Sequence, residues 1–179
     1  ELIGRSLKSA GPQASRIFSG CGTDHLPPVE ARSVDDVVRA YLEQVHAIQK
    51  LGGRVILMAS RALVRVAKSP DDYVKVYGRV LNEAEKPVIL HWLGEMFDPA
   101  LKGYWGAEDF SATARTCLAV ISNNSAKIDG IKISLLDAEK EISALEWQGR
   151  RERDGSLSLK LTARALQLAA LAPGLRELV

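Results

Sequence analysis

Lys132 sits inside an apolar run, Ile128-Asp129-Gly130-Ile131-Lys132-Ile133-Ser134. An ammonium there is costly to bury unless it is paired or put to chemical use. Burial also lowers a lysine pKa and makes the amine a nucleophile towards carbonyl carbon. The chemical reading is therefore a Schiff base on Lys132. The plain reading is a lysine that snorkels from a strand end or pairs with Asp129 or Asp137. Side chains alternate along a strand, so Gly130, Lys132 and Ser134 share one face and Ile131 and Ile133 the other. His91 lies in a second run, Lys86-Pro87-Val88-Ile89-Leu90-His91-Trp92, on the same face as Ile89. If the two strands are adjacent and parallel, His91 and Lys132 point into one cleft, where an imidazole can move protons near neutral pH. The alternative for His91 is a hydrogen-bonded histidine at a strand end.

Other groups carry weaker signals. Gly20-Cys21-Gly22-Thr23-Asp24 reads as a tight loop whose backbone N–H groups could face a carboxylate or phosphate, or as a plain turn. Cys21 has no evident activating partner and reads as a bland loop cysteine. Asp24 and His25, with His91, form a thin case for a metal, because no third ligand stands at a fixed spacing. Trp92, Phe97, Tyr104 and Trp105 crowd the end of the third strand and either wall a pocket or pack the loop down. Glu95 and Asp98 offer carboxylates there for substrate contact or for pairing with Lys132. Arg61, after Met58-Ala59-Ser60, could hold an acidic substrate.

These residues need a scaffold, and the chain supplies a rhythm. Strands are expected at residues 15–20, 54–59, 86–92 and 128–134. Helices are expected after each, with Ser33 as the cap of the one ending at Gly52-Gly53. Ser69-Pro70-Asp71-Asp72 reads as a capping box with proline at the first helical position. Strands alternating with helices indicate α/β class and a parallel sheet, with ligand chemistry at the C-terminal strand ends. Residues 146–179 break this rhythm: a polar turn, an Ala/Leu-rich helix over 157–171, and no identifiable fifth strand.

A formal net charge of +2 over 179 residues makes no case for nucleic acid or an anionic membrane surface. The basic run at 150–153 lacks interleaved aromatics, so it reads as a solvated turn. No apolar run reaches about 18 residues, so no membrane span is expected. Two cysteines far apart fit a reducing cytosol, hence a cytoplasmic protein. The first residues read like the middle of a helix, so the chain is expected to be part of a longer parent.

The order Gly20-Cys21-Gly22-Thr23-Asp24, Arg54-Val55-Ile56-Leu57-Met58-Ala59-Ser60-Arg61, Pro87-Val88-Ile89-Leu90-His91-Trp92-Leu93-Gly94-Glu95-Met96-Phe97-Asp98-Pro99, then Asp129-Gly130-Ile131-Lys132-Ile133-Ser134 resembles the domain of unknown function 993 family. That family is similar to dihydrodipicolinate synthases, within the class I aldolases and lyases. The resemblance spans residues 1–142 and leaves 143–179 unassigned. It implies a parallel (β/α)8 barrel of the TIM type, incomplete here, with about four βα units matching the third to sixth strands. It also implies that Lys132 is the Schiff-base lysine of a Gly-Ile/Val-Lys pattern. His91 stands where the superfamily usually has a proton-relaying tyrosine, and the superfamily's Thr-Thr-Gly-Glu type of motif is absent.

The implied function is Schiff-base lyase or aldolase chemistry on a small 2-oxo acid, with Lys132 and His91 catalytic. Gly22, Thr23, Ser60, Arg61, Glu95 and Ser134 are the expected substrate contacts. No cofactor or metal is required, and a homo-oligomer is expected. The alternative function is a non-catalytic fragment or structural domain that associates with another chain.

Overall fold

The computed structural model describes residues 1–142 and the backbone of residues 160 and 161. Helix α1 covers Leu2–Ala10 and passes through a 3-10 turn, Gly11–Arg16, into strand β1, Phe18–Cys21. Then follow α2 (Val34–Lys50), β2 (Arg54–Leu57), α3 (Arg61–Val66), α4 (Pro70–Asn82), β3 (Val88–Leu93), α5 (Phe110–Asn123) and β4 (Ile128–Ser134). A helical turn occupies residues 138–142. The four strands pair in chain order, all parallel. The chain is therefore α/β with a parallel sheet.

The expected reciprocal cap bonds form at α2; at α4 Ser69 is the cap residue and Pro70 opens the helix, as expected, but the reciprocal bonds are absent. Ser33 Oγ accepts from Asp36 N and the Asp36 carboxylate accepts from Ser33 N, so two orphan donors are satisfied reciprocally. At α4 the Ser69 side chain makes no cap bond, and Asp72 instead accepts from Lys68 N at 2.7 Å. The carboxylate has swung one residue further out, still satisfying a donor beside the positive end of the helix.

Helices cover one side of the sheet. Val55, Leu57, Val88, Leu90 and Ile131 are buried on that side among Val38, Tyr41 and Val45 of α2, Val76 and Val80 of α4, and Cys117 and Val120 of α5. Burying each aliphatic side chain of this kind contributes about 1.5–3 kcal/mol before entropy. The other side is partly open: Phe18, Ile56, Ile89 and Lys132 are half-buried and Gly20 is exposed. Near its base Arg54 lies 4.1 Å from the centroid of the Phe18 ring and reaches Asp129 at 3.1 Å.

Two departures from the expected pattern concern β4. Val88 pairs with Ile128 but Ile89 pairs with Gly130, so Asp129 is an extra residue, a bulge, in the fourth strand. On the outer edge of β4, Lys160–Leu161 form a two-residue strand, β5, parallel to Gly130 and Ile131. This corrects the expectation of no fifth strand, and of a helix through these two residues. An open strand edge presents unpaired N–H and C=O groups, and a two-residue segment can bond them without any periodic signal of its own. The rest of the expected polar turn and helix, and the basic run at 150–153, lie outside the described residues. No helix among the described residues is long and apolar enough to cross a membrane.

Candidate functional site

The open face carries a row of four positions that runs across the sheet, two of them just past the ends of β1 and β2. His91 and Lys132 are register partners on adjacent parallel strands, which places both on that face. Two residues beyond the Ile56–Ile89 pair, Met58 stands level with His91, and its Sδ lies 3.3 Å from His91 Nδ1. Next to it is Gly22, where a Cβ would lie 3.7 Å from Met58 Cβ. The other imidazole nitrogen, Nε2, lies 3.2 Å from Ser134 Oγ. His91 and Ser134 are both buried, while Lys132 is half-buried.

Lys132 makes no hydrogen bond or ion pair among the described residues. The four carboxylates that could have neutralised it are engaged elsewhere, Glu95 with Lys140 and Asp98 with Arg61 among them. Asp129 holds Arg54, and Asp137 takes Lys140 at 3.4 Å. The reading in which Lys132 pairs with either is thereby corrected: the bulge turns Asp129 towards Arg54, and Lys140 lies one helical turn from Asp137. Among the described residues the amine stands without a fixed counter-ion, beside a hydrogen-bonded imidazole.

A second cluster forms at the ends of β1 and β2. Thr23 Oγ1 and Ser60 Oγ are 2.6 Å apart and both buried. Ser60 Oγ also accepts from Leu63 N at 3.0 Å, capping α3, and Ser60 N donates to Tyr104 Oη at 3.1 Å. Tyr104 in turn shares a hydrogen bond with Tyr77 at 2.9 Å. Burial raises the pKa of both phenols above the ordinary value, so they stay protonated. Arg61 is held by two carboxylates, Asp24 at 2.8 Å and Asp98 at 2.5 Å. The Ala100 N–H and Arg61 together hold the Asp98 carboxyl below the usual range. A substrate carboxylate at Arg61 would have to take the place of one of these two.

Residues 1–149 match the family described as "Protein of unknown function (DUF993)". The chain belongs to this family. No curated protein matches the chain.

In this DUF993 chain the glycines of the first motif do not make a tight turn. Gly20 lies within β1, and neither Gly20 nor Gly22 has a positive φ. Their lack of a side chain leaves the open face bare beside Met58 instead. Glu95 is engaged elsewhere: it pairs with Lys140 at 3.6 Å, at the start of the loop after β3. Asp24, His25 and His91 are not brought together. His25 lies 3.3 Å from Glu43, and no group of three potential metal ligands occurs among the described residues. Of the four aromatics, Trp92, Tyr104 and Trp105 are buried and hold the loop down, while Phe97 is 53% exposed.

Met58 and Glu141 have structural parts in the site that no sequence signal singles out, and Tyr104, read as a pocket wall or as loop packing, has a further one. Met58 was legible only as an apolar strand end, yet it supplies one of the contacts of the His91 ring. Tyr104 fixes the backbone of Ser60 across 44 positions of sequence. Glu141 accepts from Leu135 N at 2.7 Å and Leu136 N at 2.9 Å, clamping the chain as it leaves β4. Only the alternation of β2 marks Met58 as sharing a face with Ile56; the other two contacts depend on loop paths.

The cysteines are inert by environment. Both are buried, and burial pushes the Cys21 thiol up to about 12 and raises Cys117 as well. At pH 8 the thiolate fraction of Cys21 is then roughly one in ten thousand. Neither cysteine is expected to take up iodoacetamide at pH 8 in the folded protein, and both are expected to react at once in denaturant. Mass spectrometry of the native and unfolded protein checks this, and rapid native labelling would contradict it.

Proposed function

We propose that this protein is a Schiff-base lyase or aldolase for a small 2-oxo acid, built on part of a (β/α)8 barrel whose interior is the open face of the sheet. Lys132 is the nucleophile. Its neutral amine adds to the carbonyl carbon, water leaves, and the resulting iminium accepts the electron pair of the carbon–carbon bond that breaks, or releases it to the bond that forms. His91, oriented by Ser134 and Met58, takes and returns the proton. Thr23 and Ser60 lie at the C-terminal strand ends, where an α/β sheet holds its ligand. The reading rests on one observation: a half-buried lysine with no ion pair among the described residues, level with a buried histidine.

Borohydride trapping tests it. Incubation with a panel of 2-oxo acids and borohydride is expected to add the mass of one reduced adduct, and peptide mapping to place it on Lys132. No adduct with any acid on the panel would remove the basis of the mechanism.

The open face and the outer edge of β1, unpaired among the described residues, also favour a second reading, a domain that binds another chain. Sedimentation of the purified chain separates the two, since a well-behaved monomer at high concentration speaks against association.

A further inference from the structure

Beyond the open face, on the helix-covered side of the sheet, a cavity of about 160 Å³ opens at the end of β3. It lies between the loop that follows β3, the start of α5 and the segment after β4. Neither Lys132 nor His91 lines it.

Its walls and rim differ in chemistry. Trp92 and Phe110 stand stacked, with ring centroids 5.7 Å apart and planes at 14°, and Tyr104 closes the side. The rim carries two separated ion pairs, Lys140 with Glu95 and Lys102 with Glu108, each at 3.6 Å. Lys140 is shared with Asp137 at 3.4 Å. Charge-assisted hydrogen bonds run about 2.7–2.9 Å, so none of these contacts is a closed hydrogen bond. Lys102 and Glu108 are also well exposed, at 63% and 78%. These groups can change partners at little cost.

We propose that this cavity is a binding site for a free α-amino acid with a flat aromatic side chain. An empty cavity of about 150 Å³ accepts a benzene ring, so the space admits one ring-sized group. The aromatic walls offer that ring stacked and edge contacts. The rim then selects the head group. A lone anion meets Glu95 and Glu108 as well as the two lysines, and a lone cation meets the lysines as well as the glutamates. An α-amino acid inserts a carboxylate towards the lysines and an ammonium towards the glutamates, replacing loose ion pairs with direct ones. The loop on which this ligand would rest also carries Asp98 and Tyr104, which hold Arg61 and Ser60.

The inference is independent of the Schiff-base reading, because phenylalanine has no oxo group to condense with Lys132. Calorimetric titration of the full chain tests it with four probes: phenylalanine, phenethylamine, 3-phenylpropionate and glycine. Phenylalanine is expected to bind saturably, and each of the others about tenfold or more weaker, as expected for losing one charge or the ring. Lys102→Met together with Glu108→Gln, both exposed, is expected to weaken phenylalanine by about tenfold without lowering the melting temperature. Lys132→Ala is expected to leave phenylalanine binding unchanged. No saturable binding of phenylalanine, binding of either singly charged analogue as tight as that of phenylalanine, or indifference to the rim variant would each overturn the assignment.

Discussion

Lys132→Ala is expected to abolish the borohydride-stable adduct and to leave the fold intact. The amine has no ion-pair partner among the described residues, so its removal strands no buried counter-charge. The side chain is half-buried on the open face, and truncation there leaves no closed cavity in the core. The stability change should therefore stay within about 1 kcal/mol, and the melting curve checks it. Activity on a 2-oxo acid should fall by roughly 10³-fold or more, since a covalent nucleophile has no substitute. Lys132→Arg should be equally inactive, because a guanidinium stays protonated and does not form the imine. An adduct that persists in either variant, mapped to another lysine, would move the chemistry away from this row.

The second large effect is structural. Gly106 has φ +84, and a Cβ there would lie 2.8 Å from Pro70 N, 2.9 Å from Pro70 Cα and 3.1 Å from Ser69 C. All three are backbone atoms at the start of α4, so none can move aside as a side-chain tip does. Gly106→Ala combines left-handed strain with overpacking and should cost about 3 kcal/mol or more. For a chain of this size that is a melting point lower by roughly 10 °C. Gly52 is the control. It has a similar φ of +78 but nothing within 4 Å of the added atom, so Gly52→Ala should cost only about 1 kcal/mol. Equal losses at the two positions would show that the contact with α4 carries no weight. The same loop positions Tyr104 against Ser60, so Gly106→Ala should also perturb the ends of β1 and β2.

Particular residues explain what could be read from the chain before its fold. The bounds of β4 follow from three isoleucines spaced through a run of strand length, and α2 from a capping box followed by a helical apolar stripe. Strand β1 begins later than expected because Gly11 and Pro12 open a 3-10 turn that uses up the residues before Phe18. The faces of His91 and Lys132 follow from alternation alone, and their meeting follows once the strands are known to be neighbours. What could not be read are contacts set by the path of a loop. Tyr104 on Ser60, Asp98 on Arg61 and Lys140 on Glu95 join segments whose spacing carries no period. Ion pairs between exposed groups are equally illegible, because many arrangements have nearly the same energy.

The extra residue at Asp129 decides which way the amine looks. Were the strand paired regularly from Val88 and Ile128 through Asp129, Lys132 would fall opposite Trp92 and project beneath the helices, and Ile133 would fall opposite Leu93 and look outward. A one-residue slip exchanges the two sides of a strand for every position downstream. The side of the sheet that Lys132 occupies is thus a matter of parity. An in-frame loss of the Asp129 codon would straighten β4 and still leave Lys132 opposite His91, whereas a regular pairing that kept Asp129 would turn that side chain beneath the helices.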